Sequence, residues 1–432
     1  MNSQKPREIA LRILRRHLEG GAYLEDRLHA ELAAVRLDPR DRALVHELVG
    51  GIVRWQATLD WLIEARTDGR RQPGLVQVLL RLGLYQLFWL DRVPDHAAVN
   101  ETVTLARESG AVGQAGFLNA VLRGYVRDRA ATRARLEALR RDDPAVGWSH
   151  PAWLVGRWQA RLGAEALGRL LAWNNTSPPT FARPNSLKLD PARLLERWRD
   201  ENVEYDFGRW DWIPENHLFR LRTHPPIEKL GTFREGGFYV QDPSTMLAVS
   251  LLAPQPGERI LDTCAAPGGK TTLIAQRMEN QGTVVAEELD PARLAALQEN
   301  CTRLGAACVQ CRRAEEGGTP ADGGYDAVLA DVPCSNTGVL RRRIDLRWRL
   351  RPEDLVRLPE LQGRLLDAAI ARCRPGGRVV YSTCSLEPEE NQAVVRGALE
   401  RHPGLELVQE RELTPCANEV DGAYAARLRR PG

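Results

Sequence analysis

The chain has 432 residues, of which 43% are hydrophobic and 27% are charged, and its formal net charge is only +3. This length exceeds one typical hydrophobic core and predicts two or three domains, while the composition is ordinary for a globular protein. The polar N-terminus shows no secretory signal, and all eight cysteines follow residue 263, which excludes a disulfide framework and predicts a cytoplasmic protein without a membrane span.

The first 140 residues are predicted to be helical. Arg42–Ile63 and Leu75–Leu90 have apolar residues at helical spacing, and Pro94 and Gly110–Gly116 mark breaks between helices. Patterning alone predicts a helical bundle of unknown purpose. The stretches DRALVHELVGGIVRWQATLDWLI and HAAVNETVTLARESGAVGQAGFLNAVLRGYVR resemble the NusB-like RNA-binding domain, which implies a role that involves RNA.

The middle of the chain is predicted to form a small α+β layer. Arg141–Pro151 is a candidate linker because it is rich in Asp, Pro and Gly. After it, Thr180–Ala182, Ser186–Leu189 and Val203–Phe207 are predicted to be extended, and Pro191–Glu201 helical. The segment ARPNSLK resembles the one that precedes the catalytic domain in RNA cytosine-5 methyltransferases, although an ordinary edge strand would have the same pattern.

From residue 237 onward, strands and helices alternate, which predicts a mostly parallel, doubly wound sheet. The predicted strands are 258–263, 283–287, 307–311, 326–331 and 377–383, and the predicted helices are 270–279, 290–304, 355–372 and 388–401. A ligand is expected at the carboxyl ends of the strands, where the strand order reverses. The fold class is therefore multidomain, with an all-α domain at 1–142, an α+β RNA-recognition domain at 143–236, and a Rossmann-like α/β domain at 237–432.

The first informative loop is LDTCAAPGGKTT, Leu261–Thr272. Gly268 and Gly269 allow a ligand to approach the backbone, and the helix N-terminus that follows offers free N–H groups to an anion. Lys270 is one of only four lysines in the chain. A phosphate-binding P-loop is disfavoured because Cys264 stands where that motif needs Gly, and a plain strand-to-helix turn is the simplest alternative.

Carboxylates follow the second predicted strand, at Glu287, Glu288 and Asp290. A carboxylate there can accept both hydrogen bonds from a ribose diol. The chain lacks the glycine fingerprint of NAD or FAD sites in this region, so a nucleoside cofactor without a pyrophosphate, S-adenosylmethionine, fits better. Glu287 and Asp290 could simply be residues that begin the next helix.

Two cysteines follow predicted strands. Cys334 lies with Asp331 in DVPCSNTG, and Cys384 lies in YSTCSLEPEEN, before a helix whose N-terminus can lower a thiol pKa. Two such cysteines, each flanked by Ser, favour nucleophilic chemistry over a purely structural role as buried side chains. Cys308 and Cys311 have no second ligand pair nearby, so no metal site is predicted.

The motifs AAPGGKTT, DVPCSNTG and STCS, in this order, closely resemble those of the RNA (cytosine-5) methyltransferases of the NOL1/NOP2/Sun class. The resemblance implies that Cys384 attacks carbon 6 of the base, that Asp331 meets ring nitrogen 3, and that Cys334 assists product release, with Lys270 in the catalytic group. It also implies Glu288 as the ligand of the ribose diol. The S-adenosylmethionine contacts implied in this way are Cys264, Ala265, Ala266, Pro267, Gly268, Gly269, Lys270, Glu288 and Asp331.

The substrate expected from this resemblance is 16S ribosomal RNA, at cytosine-967, because a NusB-like front end accompanies the catalytic motifs. The run Arg341, Arg342 and Arg343 could hold RNA phosphates, and a monomer is expected. Two alternatives stay open, namely the same chemistry on a tRNA or 23S site and a non-catalytic ribosome-assembly factor. DNA methylation is disfavoured because DNA enzymes carry their nucleophile in a Pro-Cys loop. Arg313 and Glu315 depart from the class near the adenine side of the cofactor.

Overall fold

The computed structural model describes residues 5–314 and 323–432, which form two compact units. The first unit extends to Thr176 and also contains Leu340–Leu350, and the second consists of Ser177–Val339 and Arg351–Gly432. The predicted domain boundaries at residues 142 and 236 stay predictions, because a division into two units does not test a division into three domains. The helical unit is longer than expected, and it includes a segment from the part of the sequence predicted to be catalytic.

The first unit is helical, as its apolar spacing predicted. Asp38 caps one helix by accepting hydrogen bonds from the backbone N–H groups of Arg40 and Asp41. Arg81, in the most apolar helix, is buried and forms a two-point ion pair with Asp60 at 2.7 Å. Its helices are α1 Pro6–Leu18, α2 Leu24–Ala33, α3 Pro39–Arg54, α4 Gln56–Glu64, α5 Gly74–Trp89, α6 Asp95–Glu108, α7 Ala115–Arg127, α8 Arg129–Asp142, α9 Pro144–Gly147 and α10 Ala152–Asn174, with a 3-10 turn at Val112–Gln114.

The segment Leu340–Leu350 is anchored in the first unit by buried polar side chains. Arg347 donates to the backbone carbonyls of Ser149 and Asn174 at 3.1 and 2.9 Å. Asp345 accepts a hydrogen bond from the backbone N–H of Leu24 at 3.0 Å. Because Arg347 and Asp345 are both buried, these bonds satisfy charges that would otherwise be expensive to remove from water.

Residues 177–246 contain a four-stranded antiparallel sheet in the order β2-β3-β1-β4. The aromatic side chain of Trp198 packs edge-on against those of Phe219 and Phe238 and forms the core of this layer. The prediction of an extended Ser186–Leu189 was wrong, because the carbonyl of Asn185 accepts hydrogen bonds from residues 188 and 189 and closes a turn. The elements are β1 Thr180–Pro184, α11 Pro191–Asp200, β2 Glu204–Phe207, β3 Phe219–Thr223, α12 Gly231–Arg234 and β4 Phe238–Val240, with 3-10 turns at Ile227–Lys229 and Pro243–Met246.

The remaining strands form a seven-stranded sheet in the order β10-β11-β9-β8-β5-β6-β7. The five predicted strands, β5 to β9, are confirmed and run parallel, while β10 and β11 were not predicted and add an antiparallel edge. The strands are β5 Arg259–Asp262, β6 Thr283–Glu288, β7 Val309–Arg313, β8 Tyr325–Asp331, β9 Cys373–Thr383, β10 Glu406–Leu413 and β11 Ala423–Arg429. The helices are α13 Leu247–Leu252, α14 Gly269–Arg277, α15 Pro291–Leu304, α16 Leu346–Arg349 (in the first unit), α17 Asp354–Arg372, α18 Gln392–Arg401 and α19 Pro415–Asn418, with a 3-10 turn at Thr337–Val339.

The strand order reverses between β5 and β8. From β5 the chain proceeds outward to β6 and β7 on one side, and then returns to β8 and β9 on the other. The loops that follow β5, β8 and β9 therefore meet at one edge of the sheet, which is where ligands bind in such folds. Among the helices described, none combines the length and the apolar character needed to cross a bilayer.

Candidate active site

The two predicted cysteines lie together at this edge of the sheet. The sulfur atoms of Cys334 and Cys384 are 3.3 Å apart, and both side chains are half-buried. The Cys384 thiol also lies 3.0 Å from the side-chain oxygen of Asn336. The loops after β8 and β9 thus present two thiols to the same point in space.

The loop after β8 has a conformation that brings the thiols together. Asn336 has a left-handed backbone, with φ of 56°, and its amide donates to the Cys334 carbonyl at 2.7 Å. The N–H of Gly338 donates to the carbonyl of Cys384 at 3.0 Å. A Cβ atom at Gly338 would lie 2.7 Å from that carbonyl oxygen and 2.7 Å from the Cα of Gly422, so this close approach requires glycine.

Asp331, at the end of β8, is held by hydrogen bonds to both carboxylate oxygens. Lys270 Nζ donates to one oxygen at 2.7 Å, and the hydroxyl of Ser382 donates to the other at 2.6 Å. Burial would lower the pKa of Lys270, but the charge of Asp331 and its hydrogen bond outweigh burial and raise it. Lys270 is therefore a firmly charged partner that fixes Asp331 in the site. Ser382 and Asn336 were not predicted as site residues, although both lie in the sequence motifs that identified the cysteines.

The two thiols differ in their environment. The pKa of Cys334 is raised well above its ordinary value by its hydrogen bond to Cys384 and by burial, with a smaller contribution from the charge of Glu390. Cys334 therefore keeps its proton and can donate it toward the sulfur of Cys384.

The loop after β5, residues 264–268, is close-packed and is called the cradle. Gly268 has φ of +105°, and a Cβ atom there would lie 2.9 Å from the Leu297 side chain. The carbonyls of Ala266 and Pro267 accept hydrogen bonds from Arg293 and Asn300 of α15, each at 2.9 Å. These contacts hold the backbone of the cradle in place, and Gly269 begins α14 directly after it.

Buried groups at the two ends of the cradle retain unused hydrogen-bonding capacity. Asp262 accepts from Thr271 at 2.7 Å through one carboxylate oxygen, while its buried second oxygen has no hydrogen-bond partner. Burial raises the pKa of Asp262 to about 7. Burial likewise raises the pKa of the Cys264 thiol to about 12. Cys264 therefore stays an uncharged thiol that lines the cradle and is not a nucleophile.

Of the three carboxylates at the end of β6 and just after it, Glu288 fits the predicted role of diol ligand best. One of its oxygens accepts from the N–H of Leu289 and of Asp290, and the other is buried without a hydrogen bond, at 3.4 Å from Arg293. Glu287 is already engaged by arginines 312 and 372, with closest ion-pair distances of 2.7 and 2.6 Å, and so is not a helix-start residue. Asp290 caps α15, as one of the alternatives predicted. Glu315, the predicted departure on the adenine side, lies outside the described residues.

The arginine run is not a uniform phosphate-binding surface. Arg341 is only 2% exposed, and its guanidinium lies 4.0 Å from the centre of the Trp173 ring. The prediction that Arg341 contacts RNA phosphates does not agree with this burial, because cation–aromatic packing occupies the guanidinium. Arg342 is half-buried and Arg343 is exposed, so the prediction that the arginine run contacts RNA phosphates now concerns only these two side chains.

Within the described residues, no group of three or more His, Cys, Asp or Glu side chains could hold a metal ion.

Comparisons with known proteins agree with this architecture. Residues 249–429 match a family model described as "16S rRNA methyltransferase RsmB/F", residues 4–127 match the NusB family, and residues 150–211 match the ferredoxin-like domain of RsmF/B-like methyltransferases. The chain is 33% identical to the probable ribosomal RNA small subunit methyltransferase B of Bacillus subtilis, over 94% of this chain and 90% of that protein. It is 35% identical to ribosomal RNA small subunit methyltransferase B of Escherichia coli, over 91% of both chains.

Solved structures show the same fold. The crystal structure of PH0851 covers 99% of both chains with a TM-score of 0.79 and 22% identity. A methyltransferase homologue from Pyrococcus horikoshii covers 67% of this chain and 98% of its own, with a TM-score of 0.58 and 30% identity.

Proposed function

The chain belongs to the RsmB/F family of 16S rRNA methyltransferases, and from that premise we propose that it methylates carbon 5 of a cytosine in 16S rRNA, at position 967, with S-adenosylmethionine as the methyl donor. The observation that carries this proposal is the pair of thiols, 3.3 Å apart, beside a fixed carboxylate. Carbon 5 of cytosine is a weak nucleophile, and a thiol that adds to carbon 6 turns the ring into an enamine-like species that can accept a methyl group.

Each residue of the site has a defined task in this mechanism. Cys384 releases its proton to water and forms a bond to carbon 6, and the electron pair of the 5,6 double bond becomes available at carbon 5. Asp331, held by Lys270 and Ser382, delivers a proton to ring nitrogen 3 as negative charge develops there, and takes that proton back when the ring is restored. After methyl transfer, the sulfur of Cys384 is bonded to carbon 6 and no longer keeps the proton on Cys334 through their hydrogen bond, so Cys334 releases that proton to water and, as a thiolate, takes the proton from carbon 5. The electrons of that C–H bond re-form the 5,6 double bond, the bond between Cys384 and carbon 6 breaks with its electron pair on sulfur, and the aromatic ring is restored.

The cradle residues support binding of S-adenosylmethionine. The buried oxygen of Glu288 that accepts no hydrogen bond, 3.4 Å from Arg293, suits a ribose hydroxyl. The backbone N–H of Ala265 in the cradle donates to the carbonyl of Glu287, the residue before Glu288. The unpartnered oxygen of Asp262 offers a further acceptor at the other end of the cradle. When it is bound, S-adenosylmethionine supplies an electrophilic methyl group. The target base must leave its stack to reach the thiols, at a cost of a few kcal/mol.

The test is methylation by the purified chain of 16S rRNA, tRNA and 23S rRNA with labelled methyl donor, followed by bisulfite mapping. We expect label at one cytosine of 16S rRNA, at position 967, and none with Cys384→Ala. Labelling of a tRNA or 23S site instead would replace the proposed substrate. Binding of RNA without any methyl transfer would favour an assembly factor and contradict the proposed chemistry.

A further inference from the structure

A buried carboxylate, Glu390, accepts hydrogen bonds from the residues that follow the two cysteines, and none of its hydrogen bonds is to a sulfur atom. Glu390 is 0% exposed. Its two oxygens accept hydrogen bonds from the N–H of Ser335 at 2.8 Å, the hydroxyl of Ser385 at 2.5 Å and the side-chain amide of Gln362 at 2.9 Å, and also from the Ser335 hydroxyl. A buried carboxylate is tolerated when hydrogen bonds satisfy it in this way.

The donors to Glu390 belong to both catalytic turns. Ser335 directly follows Cys334, Ser385 directly follows Cys384, and the two serine hydroxyls are 3.0 Å apart. One carboxylate therefore ties together two loops that come from different strands. Gln362 of α17 also donates to the carbonyl of Pro333, just before Cys334, so the same network includes both sides of that turn.

The next residue along the chain supports the second turn. The Asn391 side chain accepts from the Thr383 hydroxyl at 2.6 Å and donates to the Ser385 carbonyl at 3.0 Å, so it brackets Cys384 on both sides. Together with Glu390 it leaves the Cys384 turn little freedom to shift relative to the sheet.

We propose that Glu390 is the positioning residue that fixes the separation of the two thiols, so that both face one base. The proposal rests on the proposed function for its catalytic consequence, but its geometric content does not. Without Glu390, the backbone N–H of Ser335 and two serine hydroxyls lose their shared acceptor, and the Cys334 and Cys384 turns are free to separate. The charge of Glu390 also contributes to the raised pKa of Cys334, which agrees with its hydrogen bond from the N–H of the next residue, Ser335.

The first experiment measures the thiol pair directly, with no RNA or cofactor present. A trivalent arsenical, phenylarsine oxide, binds tightly only when two thiols are close enough to share the arsenic atom. The sulfurs of Cys301 and Cys311 lie 3.9 Å apart and would compete, so the assay uses Cys311→Ser as its background. Variants Glu390→Ala and Glu390→Gln are compared with Glu287→Gln, which alters another buried carboxylate of the same sheet, away from both turns.

We expect Glu390→Ala to weaken arsenical binding at least tenfold, and Glu390→Gln, which keeps the side-chain length and one acceptor, to fall between alanine and the native residue. Glu287→Gln should lower the melting temperature but leave arsenical binding unchanged. Near-ultraviolet circular dichroism identifies folded variants. A folded Glu390 variant, of either kind, that binds the arsenical as well as the background protein does would overturn the proposal.

The second experiment measures catalysis. Because Glu390 is buried and acts through Ser335 and Ser385, we expect Glu390→Gln to lower kcat by about 10²-fold, the usual effect of an ångström-scale misplacement. KM for RNA and for S-adenosylmethionine should stay within about twofold. A rise in KM with unchanged kcat would contradict a positioning role. If the native chain methylates no cytosine, the proposed function fails, and the arsenical assay still decides the role of Glu390.

Discussion

Replacement of Arg347 by methionine is expected to release the segment Leu340–Leu350 from the helical unit. The Arg347 side chain is 0% exposed, and burial lowers its pKa to about 9. It donates to the buried carbonyls of Ser149 and Asn174, and to the side-chain oxygen of Asn175 at 2.8 Å. Methionine fills a similar volume but donates no hydrogen bond, so the change isolates the polar contribution.

The expected loss of stability follows from the acceptors left behind. The two buried carbonyls lose their donor, and each unsatisfied carbonyl lowers the stability by about 1–2 kcal/mol. The side-chain amide of Asn175 is half-buried and can turn toward water instead. The sum is about 2–4 kcal/mol, which corresponds to about 30- to 10³-fold faster local opening, since 1.4 kcal/mol is a factor of ten. Because methionine also removes the cost of burying the charged guanidinium, the net loss of stability is expected at the lower end of this range.

Hydrogen exchange by mass spectrometry measures this opening in peptides that cover 340–350 and 144–176. Arg343→Met is the matched control, because Arg343 lies in the same segment and is exposed. Exchange in Arg347→Met should accelerate by at least 30-fold in both peptides, and the control should match the native chain. Equal exchange in the two variants would refute the view that Arg347 anchors this segment.

Three further predictions concern the cradle and the catalytic turn. Glu288→Ala should weaken S-adenosylmethionine binding by about 10- to 100-fold in calorimetry, as expected for a hydrogen bond to a charged group, whereas the exposed Glu299→Ala should not. Asp262→Asn should remove a pH dependence of stability. The pKa of Asp262 is raised from 3.8 to about 7 in the fold, so its contribution to stability is present at low pH and is lost as pH rises through 7. In denaturant unfolding the native chain should lose about 2.5 kcal/mol between about pH 5 and pH 7.5 from this group. Equal slopes for the native chain and the variant would contradict this. Gly338→Ala should slow methylation by more than about tenfold at unchanged cofactor affinity, because its Cβ would meet the Cys384 carbonyl, and an unaltered rate would count against that contact.

The catalytic sheet could be predicted because its signals are local. Strands β5 to β9 are short apolar runs separated by helical patterns, and small residues and cysteines follow β5, β8 and β9. Since parallel strands end at one edge of a sheet, three loops far apart in sequence could be assigned to one site before the fold was known. Strand β10 escaped prediction because its sequence, ELVQEREL, is charged and largely exposed and has no apolar alternation.

The long-range polar contacts could not be predicted. Asp345 and Arg347 have the pattern of a solvated, charged segment, yet their partners lie 321 and 198 residues away, in the helical unit. Glu390, in the run PEEN, likewise has the pattern of a surface charge. Only the fold reveals that such side chains are buried, because burial of a charge depends on donors that the rest of the chain supplies. Arg347, which holds the segment Leu340–Leu350, and Glu390, which is proposed to position the two thiols, are therefore assigned from the fold and not from the sequence.

The central claim is that the two thiols act at different times, and trapping of the covalent intermediate tests it most directly. Each variant is incubated with 16S rRNA and S-adenosylmethionine and analysed on a denaturing gel for a protein–RNA band. Cys334→Ala should accumulate the adduct, because Cys384 still attacks but release is blocked. Cys384→Ala, and the double variant, should form none. An adduct trapped by Cys384→Ala and not by Cys334→Ala would exchange the two roles and contradict the mechanism.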